Sequence, residues 1–224
     1  PRDNGSFYDY NISISKSGDA VVSEAMRYSG AREGDLRQYY RSLKDEEQKQ
    51  VFQQMIKGVS ATAELLDYRV NNAETLSGPF TLDLKYGVKD FFQKAGDIRI
   101  AQLPGFAIGA ERIEEVSLSA RRYPVKYSGS GSVLGRYFSY SITIPAGYET
   151  VSLPEPVSLS NKYGSFAAGC RQEKPDLVNC GLRWERTANT IAAKDYAQYK
   201  NFLETAANYT KKQLFFRDRA GSGK

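Results

Sequence analysis

The chain has 224 residues, no histidine, 41% hydrophobic and 25% charged content, and a net charge of +5. That length holds one large domain or two small ones. The missing imidazole excludes Ser-His-Asp and Cys-His nucleophilic catalysis, His-ligated zinc and the usual general base near neutral pH. Taken in order, FYDYNISIS alternates with Tyr8, Tyr10, Ile12 and Ile14 on one face, KSGDA supplies a turn, and AVVSEAMRYSG continues as a second strand. DLRQ and DEEQ resemble capping boxes and predict two short helices starting from Asp35 and Asp45. Leu36, Tyr40 and Leu43 line the first; Val51, Phe52, Met55 and Ile56 line the second, closed by Gly58. Residues 59–70 read as another strand.

PFTLDLKYGVK carries the strongest period of two: Phe80, Leu82, Leu84, Tyr86 and Val88 share a face opposite Thr81, Asp83, Lys85 and Lys89. That is a half-buried antiparallel strand. DIRIAQLPG comes next as a strand ending at a Pro-Gly turn, and a domain boundary is expected near residue 105. RIEEVSLSA and RRYPVKY read as strands, then YFSYSITIPAGYE alternates with Phe138, Tyr140, Ile142 and Ile144 on one face. LPEPVSL is a Pro-interrupted edge or connector. YGSFAAGC and LVNCGLRWERT make a hairpin, and KDYAQYKNFLETAANYTKKQLFF is a long helical pattern closing the chain. The expected fold is mainly β with α, of α+β class. It has antiparallel, β-sandwich-like sheets, two short helices in its first half and a C-terminal helix. Residues 1–105 form one unit and 106–224 a second.

Little in the chain invites chemistry. SGSGS at 128–132 lacks the Gly-Lys-Ser/Thr ending of a phosphate loop and leads into a strand, so it reads as a turn. GSGK at 221–224 has no helix after it. Glu111, Glu114 and Glu115 cluster, but strand alternation sends Glu114 and Glu115 to opposite faces, so they cannot flank one glycosidic bond. No acidic run matches a calcium loop, and two cysteines alone cannot close a zinc site; no metal or cofactor is expected. Lys194–Lys224 carries a surplus of basic residues, which reads as a solvated face, with no nucleic-acid partner implied. No apolar run reaches the roughly 18–20 residues that span a bilayer. The absence of an initial Met and of a signal peptide suggests a mature or excised chain.

The two cysteines are more informative. When CRQEKPDLVNC folds as a hairpin with Pro175 and Asp176 near its centre, Cys170 faces Cys180, Ala168 faces Leu182 and Phe166 faces Trp184. That register puts an apolar face opposite Arg171, Arg183 and Glu185, and a one-residue slip would send these charges inward. A disulfide is the favoured reading, implying an oxidising compartment; two buried thiols are the alternative.

RRYP, IPAGYE about twenty residues later, and IAAKDYAQYKNFLE near the end form an ordered set. The set resembles the C-terminal region of transglutaminase-like proteins of Gram-negative bacteria, especially Bacteroidetes. The matching positions are Arg122, Pro124, Pro145, Gly147, Tyr148, Tyr196 and Phe202. The stretch from the first strand pair through YSGARE and LRQYYRSL to Ile56 is similar to the segment C-terminal to the catalytic core in that family. The resemblance implies an exported, extracytoplasmic setting, periplasmic or secreted, and a β-rich domain of unknown function beside a papain-like core. The family's Cys-His-Asp triad belongs to that core and does not carry over to a chain without histidine. The resemblance therefore implies a non-catalytic accessory domain, whose partner is the upstream core of the same polypeptide. RRYPVKY then reads as scaffold, with Pro145 ending a strand and Gly147 permitting the bend before Tyr148. A carbohydrate- or peptide-binding module using exposed aromatics is the competing reading, and a free-standing enzyme using carboxylates or Lys a more distant one.

Overall fold

The computed structural model describes residues 2–76, 78–105, 116–127 and 134–219. Strands β1 (Gly5–Ile14) and β2 (Ala20–Tyr28) form the first antiparallel hairpin. Helices α1 (Ala31–Ser42) and α2 (Asp45–Val59) come next, then β3 (Glu64–Asn71) and β4 (Thr81–Val88). After them lie β5 (Gln93–Ala95), β6 (Ile98–Ala101), β7 (Val125–Lys126) and β8 (Leu134–Thr143). The later strands are β9 (Tyr148–Ser152), β10 (Val157–Asn161), β11 (Gly164–Lys174), β12 (Leu177–Arg186) and β13 (Thr190–Ile191). Helix α3 (Tyr196–Tyr209) and strand β14 (Leu214–Asp218) complete the described chain.

Eight strands form one sheet in the order β10-β11-β12-β8-β1-β2-β4-β3. Every neighbouring pair is antiparallel except β1 and β8, which run parallel. The sheet thus runs through the boundary expected near residue 105. A four-stranded sheet, β5-β6-β14-β9, and a two-stranded one, β13-β7, accompany it.

Period-two alternation builds the core. Even-numbered residues of β1, β2, β4, β8, β11 and β12, from Tyr10 and Ile12 to Leu182 and Trp184, are largely buried on one face. Helices cover that inner face: Tyr40 of α1 stacks on Phe52 of α2 at 5.4 Å and meets Phe80 at 5.8 Å. Tyr209 of α3 meets Phe166 edge-on at 5.7 Å. Phe92 packs on Phe216 and Tyr148, tying in the small sheet. The outer face bears Asp9, Asn11, Ser13, Ala25 and Ser139, all exposed. The arrangement is a large mixed sheet with two smaller sheets and with helices against its inner face, and the α+β class stands.

Several local expectations are corrected. Helix α1 starts at Ala31 after Gly30, so Asp35 lies inside it. Helix α2 starts at Asp45 itself, with the Lys44 amide donating to Glu47 at 2.7 Å, and it runs past Gly58 to Val59. RRYPVKY contributes strand only at Val125–Lys126. Residues 116–120 of the expected RIEEVSLSA strand form no strand, and its residues 112–115 lie outside the described residues, as do SGSGS, GSGK, Glu111, Glu114 and Glu115. The final helical pattern splits at Tyr209: Leu214 and Phe216 alternate into the core as strand β14. A short apolar run such as LFF fits either period, and pairing with β6 and β9 decides it.

Candidate functional site

The most perturbed chemistry lies inside the sheet. Antiparallel pairing sets Glu24 directly opposite Tyr10, and parallel pairing sets Tyr140 beside Tyr10 with the rings stacked at 4.8 Å. Tyr10 donates its hydroxyl to Glu24 Oε1 at 2.8 Å, and Tyr86 of β4 lies beside the same carboxylate. Above them, Tyr140 donates to the Pro104 carbonyl at 2.7 Å. Gly105 comes next at φ +63°, where a Cβ would meet the Tyr10 hydroxyl at 2.5 Å, so only glycine lets the turn close so tightly. Glu24 is 6% exposed. Burial pushes its carboxyl up to about 7, while the Tyr10 and Tyr86 hydroxyls pull it back down. Burial first, and then the Glu24 charge, hold the Tyr10, Tyr86 and Tyr140 hydroxyls well above the ordinary phenol range. A cleft of about 390 Å³ opens beyond the 102–105 segment, between Val22, Val88, Phe91, Leu103 and Gly105. The cage can hold a proton near neutral pH, but Pro104 and Gly105 shut it off.

The outer face differs. Phe7 and Tyr137 stack at 4.7 Å, Arg27 covers Phe7 at 3.9 Å, and Tyr137 donates to Glu185 at 2.6 Å. Ser165 donates to Glu185 as well, at 2.9 Å. Burial raises the Glu185 carboxyl somewhat, but these two hydroxyls and Arg183 outweigh it and leave it below its usual range. Beside this row the β8–β12–β11 surface sinks into a shallow depression of about 550 Å³, edged by Tyr137, Arg183 and Pro156.

The hairpin register is found as read: Cys170 pairs with Cys180, Ala168 with Leu182 and Phe166 with Trp184. The cysteines form a disulfide with Cα atoms 4.1 Å apart, inside the limit of about 7 Å for such a bond. The other motif residues fall in three places. Arg122 and Pro124 are exposed in the irregular segment before β7. Pro145, Gly147 and Tyr148 form the β8–β9 turn, where the Tyr148 amide donates to the Pro145 carbonyl at 3.3 Å and Gly147 adopts φ +99°. Tyr196 and Phe202 are buried on α3, and Tyr196 donates to the Leu118 carbonyl at 2.9 Å beneath Arg121. Tyr196 thus meets the segment that carries Arg122, whereas Tyr148 packs elsewhere, on Phe92.

Three buried charged groups escape the sequence reading: Glu24, Arg37 and Arg186. Glu24 did leave a signal. It is the one charged residue among Ala20, Val22, Met26 and Tyr28 on the apolar face of its strand. Arg37 carries no such mark, because its partners, the carbonyls of Asn72, Thr75 and Gly78, come from a distant turn. Arg186 lies over the Tyr127 ring at 3.4 Å, again across a long sequence gap.

An α+β module with a sealed polar cage, an open sheet face and a cross-strand disulfide is the assembly that the geometry defines. Residues 106–216 match a family described as a domain of unknown function with a solved structure, DUF3858. Among solved structures, a Parabacteroides distasonis protein provisionally described as a protease is similar at 14% identity and a TM-score of 0.43. The similarity covers 54% of this chain and 23% of that one, so the match spans about a quarter of that protein's length. No curated protein matches the chain.

Proposed function

We propose that the chain is a non-catalytic accessory domain of an exported protein, packing on or positioning substrate for a neighbouring transglutaminase-like core through its outer sheet face. One observation carries the reading. Glu24, the carboxyl that burial raises most among the described residues, is enclosed by Tyr10, Tyr86 and the Pro104–Gly105 turn, while the broad accessible surface is the outer sheet face. The disulfide supports an oxidising, extracytoplasmic setting. Among the described residues no helix is long and apolar enough to cross a membrane. The motif positions support scaffold roles, since Tyr196 and Phe202 are core residues and Gly147 shapes a turn.

The competing module that binds through exposed aromatics finds less support. Tyr39 and Tyr123 are exposed on separate elements, helix α1 and the segment before β7. The test has two parts. The purified chain is expected to give no amine incorporation and no peptide hydrolysis; turnover surviving repurification overturns the non-catalytic reading. Added to a transglutaminase-like core, it is expected to lower KM with kcat unchanged, and no change in KM removes the positioning role.

A further inference from the structure

A trough crosses the outer face of the sheet. Register sets Ser139 beside Gly181 and Gly181 beside Gly169, so three adjacent strands present one small side chain and two bare backbones in a row. Pro156 closes the far end against Gly169, where an added Cβ would meet its Cα at 3.2 Å. Tyr137, Arg183 and Ala167 form the next row on one side; Ser141, Asn179 and Arg171 form it on the other. Two depressions, of about 320 and 550 Å³, share Pro156, Gly169 and Gly181 and merge along this floor.

The lining selects the ligand. Sugar platforms offer a free aromatic face, but Tyr137 stacks on Phe7 at 4.7 Å and lies down over Gly135, where a Cβ would touch its ring at 2.6 Å. The trough instead offers backbone, small side chains and one arginine on each wall. Glu185, two residues from Arg183 on the same face, is held mainly by the Tyr137 and Ser165 hydroxyls, with the Arg183 charge a smaller influence. Arg171 pairs with Glu173 at 2.9 Å, but both are well exposed and such a pair is worth little. The walls stand four residues apart along the strands, about 13 Å. An extended chain spans the same distance from residue i to i+4, with i, i+2 and i+4 facing one way.

We propose that this trough seats an extended acidic-apolar peptide segment, its apolar side chain on the Gly169–Gly181 floor and carboxylates four residues apart on Arg171 and Arg183. The pattern is Glu-x-Leu-x-Glu, read by charge-assisted bonds at both ends and close backbone approach in the middle. The proposal rests on the outer face being the working surface of a non-catalytic domain, and its test needs no turnover.

The isotope-labelled chain is titrated with acetyl-Glu-Ser-Leu-Ser-Glu-amide and followed by amide shifts. Saturable shifts are expected, clustered at Gly169, Asn179, Gly181 and Arg183. Gly181→Leu fills the floor without a clash, since the nearest atom to its Cβ is the Phe138 carbonyl oxygen at 3.9 Å. Gly181→Leu and Arg183→Glu should each weaken binding at least about tenfold with thermal stability kept, and the lysine-ended peptide should not bind. Unsaturated shifts at about 10 mM peptide, equal binding by the lysine-ended peptide, or binding untouched by both variants overturns the proposal. Those failures leave the assay of catalytic activity unaffected, and turnover by the chain would leave the trough binding unaffected.

Discussion

Glu24 is ordinary in strand propensity and unusual in its surroundings. Its carboxyl is raised from 4.5 to about 7 by burial among three tyrosines. Below about pH 4.5 the group is neutral in both folded and unfolded chains, and the folded state carries no penalty. Between there and about 7 the unfolded chain ionises while the folded one keeps its proton, so stability falls as pH rises and levels off above. The shift corresponds to about 3 kcal/mol. Glu24→Gln is expected to flatten this dependence and to raise stability above pH 7, as measured by urea unfolding at a series of pH values; a variant as steeply pH-dependent as the parent would remove the account. Arg37 acts by contact. Its guanidinium donates to Glu33 at 2.6 Å and to the carbonyls of Asn72, Thr75 and Gly78, and Glu33 also accepts the Phe80 amide. Arg37→Ala leaves Glu33 and these carbonyls partly buried without their donor. A loss of roughly 3–5 kcal/mol is expected, with limited proteolysis cutting first near residues 72–76.

The parallel joint between β1 and β8 is held by rings. Phe7 on Tyr137, Tyr8 on Phe138 and Tyr10 on Tyr140 stack within 4.7–4.8 Å, each pair in register across the two strands. Gly135 makes room for Tyr137 by lacking a Cβ. Tyr137→Ala should cost roughly 2 kcal/mol, from lost burial and stacking. Gly135→Ala should also destabilise, but not in the Tyr137→Ala background, because the obstructed ring is then gone; additive losses in this double-mutant cycle would deny the contact. None of this joint could be read from sequence. Each strand announces its own apolar face by alternation, yet nothing in the alternation says that β1 lies beside a strand some 130 positions later. The β11–β12 hairpin was readable for the opposite reason. Its strands are linked by a short turn, and the register that sets Cys170 opposite Cys180 also sets Phe166 opposite Trp184 on the same apolar face. The trough was hidden too, since Gly169 and Gly181 look like loose strand positions until Ser139 of β8 joins their row. Within the hairpin, reducing the disulfide, or Cys170→Ser with Cys180→Ser, should cost about 2–3 kcal/mol by freeing the unfolded loop. Denaturation with and without reductant measures it.

Joining the two halves of the chain through β1 and β8 has a consequence for folding. Residues 2–105 hold α1, α2 and strands β1 to β6, with their own apolar faces and short connections. Alone, however, they would leave β1 as an edge with unpaired amides and carbonyls and with Tyr8 and Tyr10 uncovered where Phe138 and Tyr140 now stack. The second half has the matching deficit: β8 would lose β1, and β14 would lose β6. The cage around Glu24 is shared in the same way, since Tyr10, Glu24 and Tyr86 come from the first half and Tyr140 from the second. Each half therefore lacks groups that the other supplies to one core. The whole chain is expected to unfold in a single cooperative transition, with near-ultraviolet signals from the aromatic stacks and far-ultraviolet signals from the strands lost together. Separately expressed halves should lack fixed tertiary structure and regain it on mixing; two resolved transitions, or a first half that alone gives dispersed amide signals, would show that the β1–β8 joint merely docks two units that fold independently.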